Sequence, residues 1–272
     1  MLGERAATPV GALPMYNNHP EAVRQLWALL AARLAAAGLA DVPVQPQWPT
    51  DYHAHWLQPG LVLSQACGYP LVTVLGEKVR VVGAFEYDVP GCSGVFQRSQ
   101  VVVRANDPAQ ELVDLRGRQV AFNATNSQSG YNCLRALVAP LSRAGQFFGA
   151  RLQTGSHLES VKAVRDGKAD VAAIDCVSLA GFRRYAPDVV QGVRVLTETA
   201  AYPGLPLITA AGTNPETLAL LRQMLGQLMR DPAAAPHLRA LFIRGFEALD
   251  FPDYLPCAAM RDAAMALHYP VL

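Results

Sequence analysis

The sequence has no run of basic residues and no arginine-rich arm, and its 23 basic residues are interleaved with 22 acidic ones. The resulting formal net charge of +1 gives a nucleic-acid backbone no electrostatic surface to bind. No apolar segment approaches the roughly 20 residues that a membrane span needs. We therefore expect no nucleic-acid partner and no membrane span of its own.

Metal and enzyme signatures are also missing. The five cysteines include no C-x-x-C pair, and we find no G-x-S-x-G, Walker lysine, G-x-G-x-x-G or H-E-x-x-H motif. Serine, histidine and aspartate are present, but no spacing links them as a triad. We predict no cofactor, no metal and no catalytic residue.

Cysteine pairing and the compartment are open. Cys133 and Cys176 lie in apolar contexts and are predicted to be packing residues, whereas Cys67 and Cys92 lie beside glycines in turn-like segments. A Cys67–Cys92 disulfide is an alternative in an oxidising compartment. The first ten residues contain no apolar core of signal-peptide length. The protein is expected to be cytoplasmic if Met1 is the true start, and periplasmic if a signal peptide has been removed.

What the chain does contain is an alternation of strand-like and helix-like segments. This order predicts an α/β fold, with a mainly parallel sheet and helices on both faces. A first strand is predicted over Leu13–Tyr16, a helix from Pro20 to Gly38 and a second strand over Val42–Gln47. Half of the residues are apolar, so the 272-residue chain suits one large domain or two lobes with a sizeable core.

One stretch organises the rest. An apolar strand, Gln119–Phe122, leads through a polar turn to an apolar helical pattern, with Ser127 placed as the N-cap. Gly130 lets a ligand approach the backbone closely. The hydroxyls of Ser127 and Ser129, beside amides without helical partners, predict a site for a tetrahedral oxyanion. An ordinary capped helix start is the alternative.

Polar side chains follow several other predicted strands. In α/β sheets, ligands bind beyond the carboxyl ends of strands. The residues placed there are Tyr16, Asn17, Asn18, Ser64, Gln65, 126–129 and Asp175.

Further candidates lie on helix starts and turns. His157 follows the predicted cap Ser156, with Glu159 completing a capping box, and a helix N-terminus favours the neutral imidazole. Asp175 ends an apolar strand, where it binds a ligand cation or caps the next segment. Four aromatic residues lie near predicted turns: Tyr52, Trp56, Tyr69 and Tyr131. One or two of them are candidates to line a ligand pocket.

The order of these segments resembles a known family. The segments are Asp114-Leu-Arg-Gly117, Ser127-Gln128-Ser129-Gly130-Tyr131, Gly155-Ser156-His157-x-x-Ser160 and Gly167-x-Ala169-Asp170. They are similar to the phosphonate-binding proteins, the substrate-binding components of phosphate, phosphite and phosphonate ABC importers. The middle motif resembles the family's S-T-S-G-Y, with Gln128 in place of the threonine.

The resemblance implies a two-lobed, type II periplasmic-binding-protein fold. Lobe one would be residues 1–100 plus 197–272, lobe two 101–196, and Val101–Arg104 and Val193–Leu196 the crossing strands. A small oxyanion would be captured in the cleft between the lobes for an ABC permease, by a protein that is a monomer. Its contacts would be Ser127, Gln128, Ser129, the Gly130 and Tyr131 amides, His157 and an aromatic residue of lobe one, Tyr52 or Tyr69.

Two other functions stay open. The futalosine-pathway enzymes of menaquinone synthesis share the fold and convert carboxylate substrates, so that His157 or Asp175 would be a general base and the serines a carboxylate clamp. A ligand-sensing module that presents its closed form to a partner protein is the other.

Overall fold

The computed structural model describes residues 7–272; the first six residues, which include part of the segment considered for a signal peptide, lie outside this range. No helix between residues 7 and 272 is long and apolar enough to cross a membrane. The strands are β1 (Val10–Ala12), β2 (Leu61–Gln65), β3 (Val79–Tyr87), β4 (Cys92–Ser93), β5 (Phe96–Gln97), β6 (Ser99–Arg104), β7 (Gln119–Phe122), β8 (Ala150–Gln153), β9 (Val171–Asp175), β10 (Val193–Glu198), β11 (Tyr202–Pro203), β12 (Pro206–Ala210) and β13 (Ile243–Glu247). The α-helices are α1 (Pro20–Ala36), α2 (Tyr52–Trp56), α3 (Gly68–Pro70), α4 (Cys133–Val138), α5 (His157–Arg165), α6 (Cys176–Tyr185), α7 (Pro187–Val190), α8 (Pro215–Leu228), α9 (Ala235–Ala240) and α10 (Leu255–Ala266).

The chain divides into two compact units. Unit 1 comprises residues up to Ala66, Val74–Asp88 and Gly204–Asp253, and unit 2 comprises Cys67–Thr73, Val89–Pro203 and Tyr254–Leu272. Residues 89–100, 197–203 and 254–272, which the sequence assigns to lobe one, lie in unit 2, as do residues 67–73, which include Tyr69. The first three segments do so because β5 pairs with both β4 and β11, and because side chains of the C-terminal segment, including Tyr269 and Leu272, are buried in the core of unit 2.

The sheet of unit 1 has the order β1-β2-β12-β3-β13. Among its described strands only β1 and β2 are parallel, and the other three pairs are antiparallel. The predicted mainly parallel sheet is wrong for this unit. The reason is that β12, from a later part of the chain, inserts between β2 and β3 and runs opposite to both, a pairing that element order along the sequence does not reveal.

The main sheet of unit 2 has the order β10-β6-β9-β7-β8. Strand β7 is parallel to β8 and β9, whereas β6 is antiparallel to β9 and β10, so this sheet is only half parallel. The two strands predicted to cross between lobes, β6 and β10, pair with each other here. Alternate residues of β6 enter different cores, Val101 and Val103 on one face and Val102 on the other, so the sheet is covered on both faces.

The predicted first helix is confirmed as α1. Its inner face, which includes Leu26, Trp27 and Leu34, is buried, and each such side chain contributes roughly 1.5–3 kcal/mol. The first strand lies earlier than predicted, over Val10–Ala12, and Val42–Gln47 forms no strand. That segment contains two prolines, which have no N–H for a ladder, and it is held instead by a Trp27 Nε1 hydrogen bond to the Pro43 carbonyl, 2.7 Å.

Candidate functional site

The turn after β7 begins a helix, as the sequence predicts. The Ser127 Oγ accepts a hydrogen bond of 3.0 Å from the Gly130 N–H, which confirms Ser127 as the N-cap. The first turn, Gln128–Asn132, is a π-helix that continues into α4. Such wide turns occur frequently at functional sites.

Two buried cysteines hold the backbone of this turn. The Gln128 N–H donates to the Cys67 Sγ at 3.3 Å, and the Cys133 Sγ donates to the Ser129 carbonyl at 2.9 Å. Burial raises the pKa of the Cys133 thiol to about 12, so it stays protonated and able to donate. The amides of Gln128 and Gly130, both predicted to meet a ligand, therefore already have partners within unit 2.

Gly130 is required by a close approach. A Cβ at this position would lie 2.0 Å from the Asn123 Oδ1 and 3.2 Å from the His157 Cε1. The Asn123 Oδ1 is itself buried without a hydrogen-bond partner. Sequence reasoning missed Asn123, although it directly follows β7 at the strand end where ligand groups are expected.

Unit 2 brings three of the predicted residues together. The Ser129 Oγ lies 2.7 Å from the His157 Nε2, and the same nitrogen lies 3.3 Å from the Asp175 Oδ2. His157 is the first residue of α5, capped by Ser156, and Asp175 is the last residue of β9. Ser156 is confirmed as the N-cap, because its Oγ accepts from the Glu159 N–H. The predicted capping box is not completed, because the Glu159 carboxylate accepts from the Lys162 Nζ of the same helix.

The carboxylate decides the tautomer of His157. An ionised carboxylate can only accept, so the proton of the neutral imidazole belongs on Nε2, where it faces both Asp175 and Ser129. Burial lowers the pKa of His157, and the nearby Asp175 charge opposes this. The imidazole is thus neutral near pH 7, as predicted, with burial as the main cause.

Asp175 also has a structural role. Its Oδ1 accepts from the Ser178 N–H at 2.8 Å, which caps α6, and its side chain is almost fully buried. The interpretation of Asp175 as a cap is confirmed. Its Oδ2 stays directed at His157.

Gln128 and Tyr131 were predicted to contact the ligand, but their side chains form hydrogen bonds within unit 2. The Nε2 of the Gln128 side chain donates to the Met260 Sδ, and its Oε1 accepts from the Asn132 Nδ2 at 2.8 Å. The Tyr131 hydroxyl accepts from the Leu272 N–H at 3.1 Å, and its ring packs in the core of unit 2. Both side chains are buried inside unit 2.

Tyr69, also in unit 2, lies beside a buried arginine. The Arg135 guanidinium stacks over the Tyr69 and Tyr131 rings and donates to the Tyr69 hydroxyl at 3.4 Å. The Arg135 guanidinium also donates hydrogen bonds to the Pro270 carbonyl and to the Asn132 Oδ1, each 2.7 Å.

Unit 1 carries the other candidates. Ser64 is fully buried at 0% exposure, with its Oγ 3.1 Å from the His55 Nε2. The Gln65 Nε2 donates to the Tyr87 hydroxyl at 3.2 Å, and the Tyr16 ring meets Tyr87 edge to face. Sequence reasoning missed Tyr87, the last residue of the largely apolar strand β3.

Tyr52 differs from these buried residues of unit 1. Its ring is exposed on α2, where it stacks on Trp56 with the ring centroids 5.9 Å apart. Unit 1 therefore brings Gln65 and Tyr16 together around Tyr87 and leaves Tyr52 on the surface.

All five cysteines are free, so the Cys67–Cys92 disulfide alternative is wrong for this structure. Cys67 instead contacts the Gln128 amide, while the Cys92 Sγ lies 3.4 Å from the Cys176 Sγ. Between residues 7 and 272, no group of three or more metal-binding side chains is placed to hold a metal ion.

Comparison with known proteins gives a family and a fold. Residues 65–254 match the family described as ABC transporter, phosphonate, periplasmic substrate-binding protein. No curated protein matches the chain. The fold prediction of a two-lobed, type II periplasmic binding protein is confirmed by similarity to solved structures of that class.

Three of these structures are typical. A binding protein component of an ABC phosphonate transporter from Pseudomonas aeruginosa (PA3383) is 14% identical over 96% of this chain and 88% of its own, with a TM-score of 0.76. PhnD1 from Prochlorococcus marinus, in complex with methylphosphonate, is 16% identical over 93% and 96%, with a TM-score of 0.74. XAC2383 from Xanthomonas citri, bound to ATP, is 18% identical over 96% and 98%, with a TM-score of 0.72.

Proposed function

Because the chain belongs to the periplasmic substrate-binding proteins of phosphonate ABC transporters, we propose that it binds a small phosphonate-like oxyanion through Ser127, Ser129 and His157. The observation that carries the proposal is the position of Ser127 and Ser129 in the turn that leads into α4, with His157, the first residue of α5, 2.7 Å from the Ser129 Oγ. We propose further that the protein works in the periplasm as a monomer and delivers its ligand to an ABC permease.

The hydroxyl protons support this proposal. Ser127 uses its oxygen to accept from the Gly130 N–H, and Ser129 uses its oxygen to accept from the His157 Nε2–H. The two hydroxyl oxygens are 3.5 Å apart, which is too long for a strong hydrogen bond between them. Both therefore keep a proton to donate, and charge-assisted hydrogen bonds to an anion are strong.

The same geometry argues against a serine-based enzyme. In a Ser–His–Asp triad the serine and the carboxylate occupy different nitrogens of the imidazole, so that one nitrogen can take the serine proton. Here Ser129 and Asp175 share the His157 Nε2, and the buried Nδ1 has no partner. The shared nitrogen carries a proton and cannot act as the base for Ser129. Binding is the better use of this cluster.

The ligand class is tested by a thermal-shift panel of phosphate, phosphite, methylphosphonate, methylsulfonate and dicarboxylates. A ligand present at 100 times its dissociation constant stabilises the folded state by about 2.7 kcal/mol, so a true ligand stands out. We expect the largest shift from a phosphonate, phosphite or phosphate. A shift with the dicarboxylates alone would reject the oxyanion class and favour the carboxylate enzyme.

The site is tested by the double variant Ser127→Ala with Ser129→Ala. Removing two hydroxyl donors should weaken oxyanion binding by at least about 2 kcal/mol, or roughly 30-fold, in calorimetry. Asn214→Ala is the matched control, because its side chain caps α8 in unit 1 with a 2.7 Å bond to the Thr217 N–H. The control should lose stability and keep its affinity. Unchanged affinity in the folded double variant would remove the site assignment.

A further inference from the structure

Two cysteines outside the candidate site lie against each other in unit 2. Cys92 is on the short strand β4 and Cys176 is the first residue of α6, 84 positions later, yet their Sγ atoms are 3.4 Å apart. A disulfide needs two sulfurs whose backbones are already close and correctly placed.

Both backbones are held in place. The Cys92 N–H donates to the Val89 carbonyl at 3.1 Å, and the Cys176 N–H donates to the Arg98 carbonyl at 3.1 Å. Gly91 allows the approach, because a Cβ there would lie 2.9 Å from the Cys176 Cβ. The turn thus packs directly against Cys176, with the two sulfurs already adjacent.

The other three cysteines have different surroundings. Cys67 accepts from the Gln128 amide, Cys133 donates to the Ser129 carbonyl, and Cys257 is fully buried beside Gly68. Only the pair contains a half-buried thiol, that of Cys92, next to a buried one. This combination gives an oxidant access to one sulfur and a neighbouring sulfur to complete the reaction.

We propose that Cys92 and Cys176 are a disulfide-forming modification site, oxidised by thiol–disulfide exchange with a small-molecule or protein disulfide. The bond joins the β4 turn to the start of α6, the helix whose cap is Asp175. It forms whatever ligand the protein binds, so it does not depend on the proposed function.

The exchange balances with glutathione disulfide as the oxidant. The Cys92 thiolate attacks one glutathione sulfur, which forms a Cys92–glutathione disulfide and releases one glutathione thiolate. Cys176 then gives up its proton and attacks the Cys92 sulfur, which forms the protein disulfide and releases the second glutathione. Two electrons pass from the two protein thiols to glutathione disulfide, and the two thiol protons end on two glutathione molecules.

The test is a peptide map of the full chain after native incubation with glutathione disulfide, denaturation and alkylation with N-ethylmaleimide. We expect one cross-linked peptide containing Cys92 and Cys176, and alkylated Cys67, Cys133 and Cys257. A glutathione adduct that stays on Cys92 of the unaltered protein, or a cross-link through any other cysteine, would overturn the proposal.

Variants sharpen the assignment. Cys176→Ser should leave glutathione attached to Cys92, and Cys92→Ser should give no cross-link to Cys176. Cys257→Ala, which removes a buried thiol outside the pair, should still form the cross-link. The peptide map of the unaltered protein is decisive by itself, so the proposal can be rejected even if a variant fails to fold.

Discussion

Each unit places one histidine beside one serine, and the two pairs differ in their second partner. In unit 1 the His55 Nε2 lies 3.1 Å from the Ser64 Oγ, and in unit 2 the His157 Nε2 lies 2.7 Å from the Ser129 Oγ. In both rings the Nδ1 is buried without a hydrogen-bond partner. Burial lowers the pKa of both histidines.

The second partner separates them. His157 has the Asp175 carboxylate at 3.3 Å on the same nitrogen, whereas the serine of the other pair, Ser64, lies 3.4 Å from the neighbouring Gln65 carbonyl. A carboxylate fixes which nitrogen carries the proton, and so fixes which way the serine hydroxyl donates. The His55–Ser64 pair is therefore a structural contact. In the His157–Ser129 pair, the Ser129 hydroxyl accepts from the imidazole and keeps its own proton for a ligand.

The largest expected effect comes from removing the carboxylate. Asp175→Ala deletes a helix cap, worth about 1 kcal/mol, and a hydrogen bond to a charged group, worth about 1.5–3 kcal/mol. We expect urea unfolding to show a loss of roughly 2–4 kcal/mol, reduced by whatever the burial of the charge costs.

Asp175→Asn is the matched comparison, since its amide oxygen still caps α6 while its NH₂ faces His157. An amide NH₂ donates, so the proton of His157 should move to Nδ1, and Ser129 should then donate to the imidazole rather than to a ligand. We expect near-normal stability with weaker oxyanion binding. Equal binding in the asparagine variant and the unaltered protein would show that the carboxylate does not orient the serine.

A smaller effect should separate the two serines. Ser64→Ala removes the Ser64 Oγ from the His55 Nε2 in a ring whose Nδ1 already has no partner, and should cost about 1–2 kcal/mol of unfolding free energy. Ser129→Ala should cost less, because the His157 Nε2–H keeps Asp175, and should instead weaken binding.

The measurements are urea unfolding and calorimetry on both variants, with the exposed Ser93→Ala as control, expected within about 0.5 kcal/mol of the unaltered protein. If Ser64→Ala and Ser129→Ala changed the unfolding free energy and the binding affinity by the same amounts, the distinction between a structural pair and a ligand-binding pair would be wrong.

The sequence predicted the elements that carry a local signal. Ser127 and Ser156 cap their helices because a serine before an apolar helical pattern supplies the acceptor that the first amides need. Strand β7 begins and ends at the predicted residues, since an apolar run bounded by polar turns has few other solutions.

Tertiary contacts were not predictable from a single sequence. Strand direction in unit 1 depends on β12, which enters between two earlier strands. The Gln128 side chain looks like a ligand contact in the motif, but Met260 and Asn132, brought to it by folding, occupy its amide. Cys92 was matched with Cys67 in the disulfide alternative for the same reason, because the proximity of Cys92 to Cys176 exists only in the folded chain.

The smallest expected effect is a pH dependence that both histidines share. Their folded-state pKa values lie below the ordinary value of 6.5, so below that pH the unfolded chain binds more protons than the folded one. Stability should therefore fall as the pH drops through about 6.5, and level off below the folded pKa values, with a slope of at most about 1.4 kcal/mol per pH unit for each histidine. Urea unfolding across this window should show a shallower slope for His55→Gln and for His157→Gln. Asp175→Asn should widen the window, because the charge that opposes the effect of burial on His157 is gone. A slope that neither histidine variant changes would mean that other groups carry the acid sensitivity, and that the two imidazoles are not the buried neutral pair compared above.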